Sequence, residues 1–131
     1  MILFGGGWPV SRAIVAVLAA AFAIAAFVIM AWAIRTLGRQ WSFSARVVEG
    51  HQLVTHGPFA IVRNPIYASL GLLLIAEGLV VATPLRLFFA LALYLAGTLM
   101  RIRAEEELMR ATFGDGWEQY RRRVPALIPW F

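Results

Sequence analysis

The chain has 131 residues, 61% of them hydrophobic and only 15% charged, and its net charge of +5 rests on twelve basic residues, all arginine. Soluble domains carry about 25% charged residues. That contrast, with a mean hydropathy of +0.75, argues against an ordinary soluble domain and for a single membrane domain over residues 1–131. There is no cysteine, which removes disulfides, thiolate metal sites and a cysteine nucleophile. The arginines flank apolar runs and no nucleic-acid motif accompanies them, so anionic lipid headgroups are the expected partner of this charge, and nucleic acid is not.

Gly5, Gly6 and Gly7 make a flexible start without the strand and helix context of a phosphate loop. The first apolar run, residues 13–34, is uncharged and about 33 Å long as a helix, enough to cross a bilayer. It exceeds the apolar core of a signal peptide, about 7–15 residues, and its strongest positive charge follows it. The second run, 66–82, is broken only by Ser69 and Glu77, and the third, 85–100, only by Arg86 and Thr98, with the helix expected to run on past Ile102. Thr83 and Pro84 lie between them, and proline suits a helix's first turn. The predicted fold is an all-α integral membrane protein with three transmembrane helices (about 13–34, 66–82 and 85–102), a cytoplasmic loop and a helical C-terminal tail. Ten arginines (35, 39, 46, 63, 101, 103, 110, 121, 122 and 123) fall on one side of these spans, and only Arg12 and Arg86 on the other. The positive-inside rule then puts the N-terminus outside and the loop and tail in the cytoplasm. Trp8, Trp41 and Trp130 stand near span ends or in the tail, where indole rings favour the interface. Glu77 lies inside an apolar run, where a carboxylate is costly. It is expected either to pair with Arg86 near the outer face or to line a cavity.

The chemistry-bearing residues gather on the cytoplasmic side. Gly57 and Pro58 mark a turn. Pro65 holds Asn64 extended and opens the second span, so Arg63, Asn64 and Tyr67 stand at its mouth. Helix N-terminal amides there favour an anionic group. The third span emerges on the same face with Glu105, Glu106 and Glu107, which step by about 100° each, so at least one is expected to point back toward Arg63. An arginine- and amide-rich wall facing carboxylates suits a zwitterionic ligand, with a second ligand arriving from the membrane. Taken singly, each signal has a plainer reading: Arg63 as a topology anchor, the glutamates as a solvated face, His51 and His56 as exposed loop residues. Neither histidine has metal-ligand spacing, and no metal site is expected.

The ordered set resembles the isoprenylcysteine carboxyl methyltransferase family, related to the phospholipid N-methyltransferases. It comprises His51, Leu53, Val54, Gly57 and Phe59, then Arg63, Asn64, Pro65 and Tyr67, then Glu105 and Glu106, Phe113, Gly114, Trp117 and Tyr120, and finally Val124, Pro125, Ile128 and Pro129. It covers residues 51–131. The resemblance implies an S-adenosylmethionine (SAM) dependent membrane methyltransferase with no metal. The cofactor would be held by His51, Leu53, Val54, Gly57, Arg63, Pro65, Tyr67, Glu105 and Glu106, with Arg63, Asn64 and Tyr67 carrying catalysis. Two departures stand out: Asn64 replaces the family's histidine and cannot act as a base near neutral pH, and Ser69 replaces a glycine. Three spans are few for such a protein, and a homodimer is one way to supply a missing wall.

A methyl on a sulfonium is already activated, so alignment, desolvation and lipid access are the protein's task. A carboxylate acceptor needs no base, and Arg63, backed by Arg101 and Arg103, is the expected group to orient it. An amine acceptor must lose a proton, to His51 or a carboxylate. The acceptor is expected to be a membrane lipid or a prenylated molecule. Phosphatidylethanolamine N-methylation, a sterol-reductase-like activity and a non-catalytic membrane scaffold are the alternatives. On this reading Arg63→Ala abolishes transfer and leaves the fold intact.

Overall fold

The computed structural model describes residues 7–38 and 53–129. Among these, four α-helices and one short 3-10 turn account for the regular structure, and no strand occurs. Helix α1 (Arg12–Leu37) starts where the Ser11 hydroxyl accepts from the Ile14 amide, as an N-cap should. Its 26 residues extend about 39 Å. The 3-10 turn (Gly57–Ala60) leads into α2 (Pro65–Val81). Helix α3 (Pro84–Phe113) follows after a turn capped by the Thr83 hydroxyl, which accepts from the Arg86 amide. Gly114, at φ +55°, ends α3 and opens α4 (Asp115–Arg123).

The helices lie where the apolar runs predict them, with one extension. Helix α3 continues unbroken for eleven residues beyond the expected span end at 102, which carries Glu105 and Glu106 back toward the mouth of α2. Among the described residues two helices, α1 and α3, are long and apolar enough to cross a membrane; α2 is apolar but shorter, at 17 residues, or about 25 Å. The expected second span, 66–82, is thus an apolar helix below the usual spanning length.

Helix α2 is the centre of the assembly. Small residues of α1 (Ala19, Ala26 and Ala33) are buried at seven-residue intervals along one face. Such a stripe lets helix backbones approach closely where lipid removes most of the hydrophobic drive for association. At the end of the helices away from the mouth of α2, Val15 and Ala19 pack with Leu79. The Trp8 indole donates to the Ala82 carbonyl at 3.0 Å, pinning the N-terminal segment to the α2–α3 turn. On the α3 side, a Cβ at Gly78 would collide with the Leu87 side chain, so glycine there lets α3 close on α2. The outer surfaces stay apolar and exposed, including Phe27 and Val28 on α1 and Phe88, Phe89 and Leu93 on α3.

The expected Glu77–Arg86 pair does not form. Both side chains are exposed and no ion pair joins them. Glu77 lies four residues from the end of α2, about 6 Å along the axis, close enough for its carboxylate to extend to the surface. Ser69 is buried, and its hydroxyl donates to the Ile66 carbonyl at 2.7 Å, so the hydroxyl in place of a glycine is satisfied within its own helix. Trp41 and Trp130 lie outside the described residues.

Candidate active site

The mouth of α2 is wired to the C-terminal segment. The Arg63 amide donates to the Pro125 carbonyl at 2.8 Å, and the Asn64 amide to the Ala126 carbonyl at 3.0 Å. The Asn64 side chain donates to that same carbonyl at 3.0 Å, which leaves it making no helix cap. The Arg63 guanidinium adds Nη1 bonds to the carbonyls of Arg121 and Val124. Its Nε and Nη2 reach Glu106 Oε1 at 3.1 and 3.0 Å. Glu106 Oε2 lies 3.7 Å from Arg121. Arg63 is thus the hub of a clamp that binds the loop, the end of α3 and the tail, and its side chain is only 11% exposed.

The three glutamates divide as their helical spacing requires. Glu106 turns to Arg63. Glu105 accepts from the Tyr67 hydroxyl at 2.7 Å and pairs with Arg101 at 3.1 Å. Glu107 is exposed. The Arg101 guanidinium also lies over the Tyr67 ring, 5.9 Å from its centroid, within cation–π range. Tyr94 donates its hydroxyl to the Tyr67 carbonyl. Its place was not legible in the sequence, where it reads as one apolar-run residue among many.

Behind the clamp sits an aromatic cluster. Trp117 and Tyr120 meet edge to face, with centroids 5.5 Å apart, and pack with Val124, Leu53, Phe59 and Phe113. The Tyr120 hydroxyl donates to the Phe59 carbonyl at 2.6 Å, fastening α4 to the 3-10 turn. Burial pushes the Tyr120 phenol above its ordinary pKa; the neighbouring Arg63 and Arg123 oppose this, and Glu106 adds to it. The Trp117 indole N–H is buried with no hydrogen-bond partner among the described residues. On α4's exposed side, Glu118 pairs with Arg110, which holds the carboxyl below its usual pKa.

Beneath this polar layer lies a half-open cavity of about 520 Å³, within the size range of ligand pockets. Helix α2 forms its floor with Ala68, Gly71, Leu72 and Ile75. Ile29 and Trp32 of α1 wall one side, Leu91, Tyr94 and Leu95 of α3 the other, and Leu127, Ile128 and Pro129 of the tail also line it. Tyr67 belongs to both regions: its ring lines the cavity and its hydroxyl joins Glu105.

The family's sequence profile matches residues 17–111. The chain belongs to the isoprenylcysteine carboxyl methyltransferase family. It is 36% identical over 80 residues to the protein-S-isoprenylcysteine O-methyltransferase of Schizosaccharomyces pombe, covering 60% of this chain and 34% of that protein. It is 36% identical over 102 residues to the cobalt-zinc-cadmium resistance protein CzcN of Cupriavidus metallidurans, covering 72% and 44%. Methanethiol S-methyltransferase 2 of Bradyrhizobium diazoefficiens is 36% identical over 88 residues, covering 67% and 33%. The chain therefore spans between a third and a half of the length of these relatives. The match begins inside α1, upstream of the motifs that carry the resemblance, and stops before the aromatic cluster of α4.

Of the residues that the resemblance singles out, Arg63, Asn64, Pro65, Tyr67, Glu105 and Glu106 come together at the mouth of α2. Leu53 belongs instead to the aromatic cluster. Gly57, at φ +61°, packs against α1, where an added Cβ would sit 2.8 Å from the Thr36 hydroxyl. Val54 is half-buried, His56 is exposed, and His51 lies outside the described residues. Among the described residues no group of three or more His, Cys, Asp or Glu is placed to hold a metal ion. The donor set fits SAM's charged groups: carboxylates at Glu105 and Glu106 for cationic groups and Arg101 for an anionic one.

Proposed function

We propose that the chain is a SAM-dependent membrane methyltransferase whose acceptor carries a long apolar chain, of the isoprenylcysteine carboxylate kind. The carrying observation is the junction at Tyr67, where the apolar cavity ends on a carboxylate–arginine cluster. An apolar cavity of about 520 Å³ suits a prenyl or acyl chain and would leave a ligand as small as methanethiol largely without contacts. Helices α1, α2 and α3 are read as three spans, α2 crossing a locally thin region, with the arginine-rich end in the cytoplasm.

When bound, SAM supplies a methyl group activated by its sulfonium. The chain supplies position and a dry, charged frame. Arg101 and the Tyr67 hydroxyl hold the Glu105 side chain in place at the cavity's polar end, where it can receive a cationic group. Arg101, half-exposed there, orients an incoming carboxylate, which needs no base. Arg63 and Asn64 act one layer back: they hold Glu106 and the tail in place, and Leu127 and Ile128 then complete the apolar cavity. Arg63 is therefore a positioning residue on this reading, and the orienting arginine moves to position 101.

The test is transfer of radiolabelled methyl from SAM by purified protein in nanodiscs, offered farnesylated cysteine, phosphatidylethanolamine or methanethiol. Labelling of farnesylated cysteine, reduced at least tenfold in Tyr67→Phe, is expected. Labelling of phosphatidylethanolamine alone would transfer the assignment to a lipid amine, and no labelling of any acceptor by protein that binds SAM would overturn it.

A further inference from the structure

Tyr94 has an unusual seat for a tyrosine inside an apolar helix. It lines the cavity, but its hydroxyl is spent on the backbone carbonyl of Tyr67, a residue of α2's first turn. This bond ties α3 to α2 and fixes where the ring lies. Gly71 makes room for it: a Cβ there would stand 3.3 Å from Tyr94 Cε1, tighter than ordinary contact. The ring thus lies against α2 between the levels of residues 67 and 71. Cavity-lining residues continue beyond it to Ile75 on α2 and Leu91 on α3. From Pro65 to Ile75 the lining runs ten residues along α2, about 15 Å, and the ring stands part-way down this length. It offers an occupant no free donor, so its effect on anything entering is steric.

We propose that Tyr94, seated by Gly71 and the Tyr67 carbonyl, is the specificity-determining residue that sets the bulk of the apolar chain the cavity accepts. The inference rests on the cavity being the acceptor site, and it specifies a feature of that site. Removing the ring opens the cavity between α2 and α3 and admits bulkier chains; enlarging residue 71 narrows it from the opposite side. Differences of one or two carbons in an apolar pocket discriminate about tenfold or more, so a change of ring size should reorder a homologous series.

The experiment measures retention without methyl transfer. Purified protein in nanodiscs is offered an equimolar mixture of geraniol, farnesol and geranylgeraniol, and the retained alcohols are quantified by mass spectrometry. In Tyr94→Ala the ratio of geranylgeraniol to geraniol should rise roughly tenfold over wild type. In Gly71→Leu it should fall by a similar factor. Ratios within twofold of wild type in both variants would overturn the proposal, as would a proportionate loss of all three alcohols, which marks Tyr94 as merely structural. Failure of wild type to retain any of them would also overturn it. Because no methyl is transferred, a wild type that retains the alcohols yet methylates nothing refutes the proposed activity and leaves the gauge standing.

Discussion

Replacing Arg63 by alanine removes the hub of the clamp, and the structure gives the consequence. Four polar contacts disappear: two to Glu106 and one each to the carbonyls of Arg121 and Val124. The main-chain bonds from residues 63 and 64 to Pro125 and Ala126 survive. Among the described residues Glu106 keeps only Arg121, at 3.7 Å and half-exposed. Breaking a largely buried ion pair by removing one partner costs on the order of 3 kcal/mol, equivalent to about a hundredfold in the opening equilibrium of the tail. The helices do not depend on these contacts, so the spans should stay folded while residues 124–129 open about a hundredfold more often. Hydrogen exchange followed by mass spectrometry reads this directly. The Val124 amide, bonded to Tyr120, and its neighbours should exchange about a hundredfold faster, with α1 and the centre of α2 unchanged. A tail that exchanges at the wild-type rate in Arg63→Ala would refute the clamp.

Substitutions at two further positions probe the same layer. Asn64→His should keep at least a third of wild-type methyl transfer, because an imidazole N–H can also donate to the Ala126 carbonyl, whereas Asn64→Leu should lose most of it; equal activity in both variants would remove the donor role. The Tyr120 phenol is neutral and buried in the folded state, and its pKa is raised by that burial. The stabilisation it brings is complete below the unfolded pKa of about 10 and is lost as pH rises from there through the folded value. Exchange protection of α4 should therefore decline above about pH 10 in wild type and not in Tyr120→Phe, which starts lower, by about 1 kcal/mol, for want of the bond to Phe59; a parallel decline in both would assign the titration elsewhere.

The helices were legible because their signals are local. Apolar runs with Pro65 and Pro84 at first turns place α2 and α3 within a residue or two of their observed starts. The approach of the glutamates to the mouth of α2 was legible too, since helical spacing forces three consecutive carboxylates apart and the span directions bring one wall to the other. What the sequence hid is which partner each group takes. Arg63 reads as a substrate-orienting cation, but the carbonyls that occupy it come from residues 121 and 124, close to sixty positions away. Asn64 reads as the loss of an imidazole; in space its amide donates to a carbonyl, a role that needs no proton transfer. Tyr94 and Gly71 become a pair only when α3 folds back on α2. The expected Glu77–Arg86 pair failed for the same reason: nearness across a hairpin does not decide which way two helical side chains point.

The central claim is that the acceptor's apolar chain lies in the cavity under Tyr67. Photocrosslinking with a farnesylated cysteine carrying a diazirine in its prenyl chain tests it most directly, with adducts located by mass spectrometry of the wild-type protein. Adducts on the cavity wall, at Leu72, Ile75, Leu91 or Leu127, are the predicted result. Adducts confined to the outward-facing Phe88, Phe89 and Leu93 of α3 would contradict it.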